Sequence, residues 1–226
     1  MSHYISPYHA PGFHAAALSA GRHRDIVGGR WEETGRIQMA FLMEAGLLPH
    51  HRFLDLGAGS LRLGCKLVPY MLPGHYWASD ISLDLMVHGR MTELAEPEAL
   101  PMDHLIEDGE FAFPGVPADL THILAFAVFT HLPLWCLEQA LERIHARFGL
   151  LEKLFLTVFL APDANAALLP VRQIDGVVTH RDRTPYHFLA DEVEAVASRV
   201  GFRSTRHPMW LPRGQVLYTF SREEQG

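Results

Sequence analysis

Apolar and polar positions alternate along this chain in two rhythms. Ile37, Phe41, Leu42 and Ala45 recur at helical spacing and predict a helix over 31–45, stopped by Gly46 and Pro49. Phe53, Leu54 and Leu56 form a short apolar run of the kind a parallel strand buries on both faces, interrupted by Asp55. Leu61, Leu63, Leu67, Val68, Met71 and Leu72 then predict an apolar helix face that Pro69 should bend or end. Strand and helix continue to alternate: a strand over 76–81, a helix over 83–94, a short strand at 105–107, and a nearly continuous apolar strand over 120–128. A helix over 134–148 and a strand over 153–160 follow, then a helix over 191–200 closed by Gly201. Strands at 202–206 and 215–221, joined through Pro212-Arg213-Gly214, close the chain as an antiparallel pair.

Two stretches break the rhythm. Residues 1–20 mix Pro7, Pro11 and Gly12 with aromatics and predict an arm without a long regular element. Tyr4, Tyr8 and Phe13 make it too apolar for a disordered tail, and an arm packed over the mouth of a site is the expectation. Residues 161–185 are long for a connection in a compact domain, and long connections are often functional.

Composition narrows the class. With 226 residues, 48% hydrophobic and 20% charged, the chain can bury one sizeable core. It lacks an apolar run long enough for a membrane span, and no secretory signal is visible. Cys65 and Cys136 read as buried free thiols of a cytoplasmic protein. The net charge of −7 argues against a broad nucleic-acid-binding face. Of the 15 histidines, His3, His9, His14 and His23 fall at irregular intervals that match no metal-ligand spacing, so no metal is expected.

The candidate chemistry begins at Asp55-Leu56-Gly57-Ala58-Gly59-Ser60, where a strand turns through glycines into a predicted helix. Glycines let the backbone turn sharply and a ligand come close. Ser60 is a candidate N-cap for that helix, whose first amides would form an anion-binding end. A dinucleotide fingerprint would need a small residue at the position of Arg62, so that reading fails. Asp80 ends the next strand roughly 20 residues on, where a carboxylate can accept hydrogen bonds from a ribose diol. It can instead be a plain N-cap, although Ser82 can fill that role.

Asp55-x-Gly57-x-Gly59, with Asp80 downstream, resembles the first motifs of class I S-adenosylmethionine-dependent methyltransferases, with Leu61 where that family usually has a third glycine. Val27-Gly28-Gly29-Arg30-Trp31, Gly59-Ser60-Leu61-Arg62, Phe129-Thr130-His131-Leu132, Pro185-Tyr186-His187 and Pro212-Arg213-Gly214-Gln215 are together similar to a bacterial small-molecule subgroup. The resemblance implies an α/β, Rossmann-like, doubly wound and mostly parallel seven-stranded sheet with an antiparallel last strand. It also implies an arm and helix lid over 1–49 and a cofactor-binding domain over 50–226. S-adenosylmethionine is the implied cofactor and S-adenosylhomocysteine the product. The implied cofactor contacts are Trp31, Asp55, Gly57, Ala58, Gly59, Arg62, Asp80 and Ile81, then Asp108 and Gly109 at the adenine, and Ala125 and Phe126 under the sulfonium. Asp108 before Gly109 also suits a plain turn, and Trp31 a plain helix entrance.

The catalytic candidates are His131, His187 and Tyr186, since an imidazole can take a hydroxyl or amine proton near neutrality. Arg181, Arg183 and Arg213 are candidate clamps for an acidic group on the substrate. Alignment alone supplies about 7–11 kcal/mol, so methyl transfer does not require a base. The expected acceptor is a small molecule methylated on oxygen or nitrogen, neither nucleic acid nor membrane is an expected partner, and a homodimer is left open. A non-catalytic cofactor-binding module with the same fold is the competing reading.

Overall fold

A computed structural model describes residues 8, 10, 12–209 and 211–223. His3, Tyr4, Pro7, His9 and Pro11 of the arm lie outside them. The chain divides into two compact units, 1–117 and 118–226, so the arm shares a unit with the glycine turn.

The first unit holds α1 (Phe13–Ser19), α2 (His23–Ile26), α3 (Trp31–Glu44), β1 (Phe53–Leu56), α4 (Gly64–Leu67), β2 (Tyr76–Asp80), α5 (Leu83–Glu93) and β3 (Leu105–Glu107). Its strands run parallel in the order β3-β2-β1, with Phe53 opposite Tyr76 and Ala78 opposite Leu105. Every residue of β1 is buried, Asp55 included, as a central strand covered on both faces requires. The predicted 61–72 helix shrinks to a single turn. Leu61 takes a left-handed backbone (φ +63°), which delays the helix to Gly64, and Pro69 follows close behind. Ser60 is therefore no helix cap: its hydroxyl donates to the carbonyl of His23 (3.0 Å), and a one-turn helix makes no anion-binding end.

The second unit holds β4 (His122–Ala125), α6 (Leu134–Arg147), β5 (Lys153–Leu160), β6 (Val171–Arg172), β7 (Val178–Thr179), β8 (His187–Phe188), α7 (Ala190–Val200), β9 (Phe202–His207) and β10 (Val216–Arg222). Here β4 pairs parallel with β5, and β10 inserts antiparallel between β5 and β9, with Leu217 opposite Thr157 and His207. Helix α6 buries Leu137, Ala140, Leu141 and Ile144 at the expected spacing. The connection 161–185 carries the small antiparallel β6–β7 pair, and β8 after it adds to β5 in parallel. The architecture is mixed α/β and mostly parallel, with one antiparallel strand pair at its edge. Both cysteines are free, Cys136 buried and Cys65 half-buried.

Candidate functional site

In the first unit the turn after β1 is held by backbone groups. The N–H groups of Gly57 and Ala58 both donate to the carbonyl of Ser79 (2.7 and 3.0 Å), and Gly59 N–H donates to Asp80 Oδ2 (2.8 Å). Left-handed φ angles recur at alternate residues: Gly57 (+75°), Gly59 (+56°) and Leu61 (+63°). Leu61 thus takes a conformation that favours glycine, at a steric cost, its side chain fully buried. Asp80 Oδ1 accepts from Ser82 N–H (3.1 Å), and Ser82 caps α5 by accepting from Leu85 N–H (3.2 Å). Asp80 is thereby released from capping. Burial raises its carboxyl against the pull of the Gly59, Ser82 and Ile81 amides and the His14 charge.

Asp55 points elsewhere. Its Oδ2 accepts the Tyr76 hydroxyl (2.9 Å) across β1 and β2, and burial pushes its carboxyl up to about 7 despite that bond and the Arg62 charge. Gly64 makes room for this pair, since a Cβ there would sit 2.8 Å from the Tyr76 oxygen. Asp108 organises its own turn. Its oxygens accept from Glu110 N–H (2.9 Å) and Phe113 N–H (2.7 Å), while its own N–H donates to the Asp80 carbonyl (2.9 Å). Gly109 is exposed and Ile81 half-buried.

A strap formed by residues 22–30 lies on the glycine turn. Arg62, offered from sequence as a cofactor contact, directs Nη1 to the carbonyls of Val27 (2.8 Å) and Gly29 (3.3 Å). A Cβ on Gly59 would meet Val27 Cγ1 at 2.5 Å, so the strap seats its valine where any larger residue would intrude. Glu93, at the end of α5, receives His23 Nε2 (2.7 Å) and both Nε and Nη2 of Arg24 (2.7 Å each). Burial pushes the Glu93 carboxyl up, but the Arg24 and His23 bonds outweigh it and hold the group below its usual range. Trp31 is buried beneath this segment, its ring 6.2 Å from His23 and 5.0 Å from the Arg24 guanidinium. Helix α5 reaches the turn at Gly89, where a Cβ would collide with the Ser60 carbonyl.

The second unit presents the other candidates. Ala125 and Phe126 are buried, and the predicted 120–128 strand ends at Ala125 because Ala127 turns left-handed (φ +60°). Ala127 N–H donates to Thr157 Oγ1 (2.7 Å), whose hydroxyl donates to Gln215 Oε1 (2.6 Å). Thr130 Oγ1 donates to the Ala127 carbonyl (2.8 Å), and Tyr186 N–H donates to the Thr130 carbonyl (2.7 Å), so the loop before α6 and the segment after β7 are bonded together. His131 Nδ1 lies 3.1 Å from Thr184 Oγ1. Burial, with the Arg213 charge nearby, pushes the His131 imidazole down to about 4, so the ring is neutral at pH 7.

His187 takes a different place from the one expected. It is fully buried, with Nδ1 against Thr179 Oγ1 (2.9 Å) and Nε2 against the Ala167 carbonyl (3.1 Å). Both ring nitrogens are used in packing the 161–188 segment, which leaves neither for a substrate proton. The Tyr186 side chain is buried as well. Arg181 pairs in bidentate fashion with Glu192 (2.8 and 2.5 Å), and exposed Arg183 lies beside Asp182 (3.6 Å). Sequence reasoning missed Glu93, Gly89 and Thr157; among these, Thr157 carried a signal, a hydroxyl inside an otherwise apolar strand.

Comparison with known proteins gives structure but no sequence match. No family model and no curated protein matches the chain. Among solved structures, magnesium protoporphyrin IX methyltransferase (ChlM) from Synechocystis PCC 6803 with bound SAH superposes at TM-score 0.59 and 16% identity, over 84% of this chain and 83% of that one. A TehB-like SAM-dependent methyltransferase from Corynebacterium glutamicum superposes at 0.58 and 17% identity, over 94% of this chain and 100% of that one. The fold is the class I methyltransferase fold. A glycopeptide N-methyltransferase, MtfA, shares it at TM-score 0.59 and 14% identity, over 84% of this chain and 90% of that one. At such identities the methyltransferase fold is what is held in common, and the role of each residue rests on the geometry above.

Proposed function

We propose that this chain transfers a methyl group from S-adenosylmethionine to oxygen or nitrogen of a small-molecule acceptor. The observation that carries the reading is the Gly59 N–H bonded to Asp80 Oδ2 at 2.8 Å, which locks a glycine turn to a carboxylate at the end of the neighbouring strand. The donor set fits the cofactor. Asp80 holds backbone N–H groups, and burial still raises it, so two ribose hydroxyls would stabilise its charged form. Structural neighbours support the choice of ligand, having been crystallised with SAH, SAM or sinefungin.

When bound, the cofactor supplies a methyl already activated by its sulfonium. The residues of the chain bind, orient and keep water away. Gly57, Ala58 and Gly59 cup the methionine end, with Asp55 and Arg62 holding the turn's shape from behind. Asp80 and Ile81 take the ribose, and Asp108, Gly109 and Trp31 border the adenine. His131, neutral at pH 7, orients the acceptor by a hydrogen bond. An imidazole with so low a proton affinity is a poor base, so positioning carries most of the rate.

The test is calorimetric titration with S-adenosylmethionine, followed by methyl transfer to a panel of small phenols, amines and carboxylic acids. Saturable binding and turnover on at least one acceptor are expected. A wild-type chain that binds no adenosyl cofactor overturns the proposal, and binding without turnover on any acceptor reduces the protein to a binding module.

A further inference from the structure

We infer that residues 22–30 form a latched strap that gates cofactor exchange at the glycine turn, with Glu93 as the latch; the inference rests on the methyltransferase reading of that turn. Three contacts seat the strap: the Ser60 hydroxyl on the His23 carbonyl (3.0 Å), Arg62 on the Val27 and Gly29 carbonyls, and the Val27 side chain against Gly59. All are short-range and lie on the turn itself. The strap is bounded at each end by left-handed backbone. Gly21 is left-handed (φ +65°) before it, and Gly28, Gly29 and Arg30 are left-handed in succession (φ +97°, +61° and +46°) at its close.

What fastens it lies outside the turn. Glu93 reaches from the last residue of α5 and binds two consecutive strap residues at once, His23 by one bond and Arg24 by a bidentate pair. The Glu93 side chain is only 6% exposed, so this is no solvated surface ion pair, and a carboxylate so enclosed needs both partners. His23 also lies 4.6 Å from the His88 ring on the same helix, which adds a second contact to α5. The strap is thus held to α5 by the Glu93 carboxylate and the His23–His88 ring contact, and to the glycine turn by the His23, Val27 and Gly29 carbonyls and the Val27 side chain. Undoing the first frees the second. Bound and free cofactor would both have to pass through the unlatched state, so the latch sets the rates of exchange and leaves the equilibrium nearly unchanged.

Stopped-flow binding of S-adenosylmethionine and S-adenosylhomocysteine to the full chain tests this. Glu93→Gln should raise the association and dissociation rates together by about tenfold or more while Kd stays within about threefold, as expected when a charge-assisted latch is weakened. Arg24→Gln, at a half-exposed position and leaving the His23 bond to Glu93 in place, should raise both rates by a smaller factor. Without ligand, hydrogen exchange in Glu93→Gln should quicken at the amides of 22–30 and of Gly59 and Ser60. Rates that ignore both substitutions, or a Kd that weakens in step with dissociation while association stays constant, overturn the gate. Unchanged exchange in the strap amides overturns it too. A wild-type chain that binds neither adenosyl compound sinks the methyltransferase reading instead, and the gate with it.

Discussion

The turns that follow β1 and β4 solve the same steric problem by different means. Each places a side-chain-bearing residue in the left-handed region, Leu61 at φ +63° and Ala127 at φ +60°. The first is wired to the neighbouring strand β2 through its own main-chain N–H groups: Gly57 and Ala58 to the Ser79 carbonyl, and Gly59 to the Asp80 carboxylate. The second is wired through side chains far away in sequence, with Thr157 and Gln215 holding Ala127 from β5 and the approach to β10. A turn wired through its own main-chain donors needs few residues of a particular kind, here two glycines and an aspartate on the next strand. A side-chain-wired turn can be built from any strand that passes nearby, and leaves little trace in its own residues.

The comparison can be broken hardest at Leu61. Placing a glycine at this left-handed position with Leu61→Gly relieves about 1–2 kcal/mol of strain, but it also empties a fully buried leucine site. Loss of a buried leucine typically costs about 2–5 kcal/mol, so packing outweighs strain and a net loss of about 2 kcal/mol is expected in chemical denaturation. A more stable variant would show that the turn is strained rather than packed. Asp80→Ala comes next. It removes the acceptor for Gly59 N–H and the proposed ribose contact, so cofactor affinity should fall by about 1–3 kcal/mol in calorimetric titration. Unchanged affinity would leave Asp80 as a brace for the turn and nothing more.

This contrast also explains what was legible beforehand. Strand and helix alternation, the glycine turn, Asp80 and the antiparallel closing pair were readable because each is written in local periodicity or in a residue with a backbone consequence. Helix 61–72 was over-read because nothing apolar in Leu61 announces a left-handed backbone. His187 looked catalytic because its surroundings were invisible. Only the fold brings Thr179 and the Ala167 carbonyl to its two nitrogens. Glu93 ended a helix like any surface acid until the strap came to meet it.

Thr157 sharpens the second half of the comparison. Thr157→Val keeps shape but strips both the Ala127 N–H and the Gln215 Oε1 of their shared partner. Orphaning the two buried groups costs about 2–6 kcal/mol in total, offset by about 0.8 kcal/mol for the added methyl, so a loss of at least about 1 kcal/mol is expected from denaturant unfolding. No change would mean that the turn after β4 is held by its own backbone after all, as the turn after β1 is.

The smallest effect is expected at His131, and its sign is the informative part. The imidazole is pushed below its ordinary 6.5 to about 4 by burial and the Arg213 charge, so the folded chain binds fewer protons there than the unfolded chain between those two values. Stability should therefore rise with pH from about 4 to about 6.5 and be level above, and that slope should be shallower in His131→Gln. Turnover should fall by less than about tenfold in the same variant, because an orienting hydrogen bond is lost and no base is removed. The wild-type rate should show no limb near 6.5, since the ring is already neutral there. A limb at that pH that vanishes in His131→Gln would show an imidazole of ordinary basicity taking the acceptor's proton, and would move the chemistry from positioning to general-base catalysis.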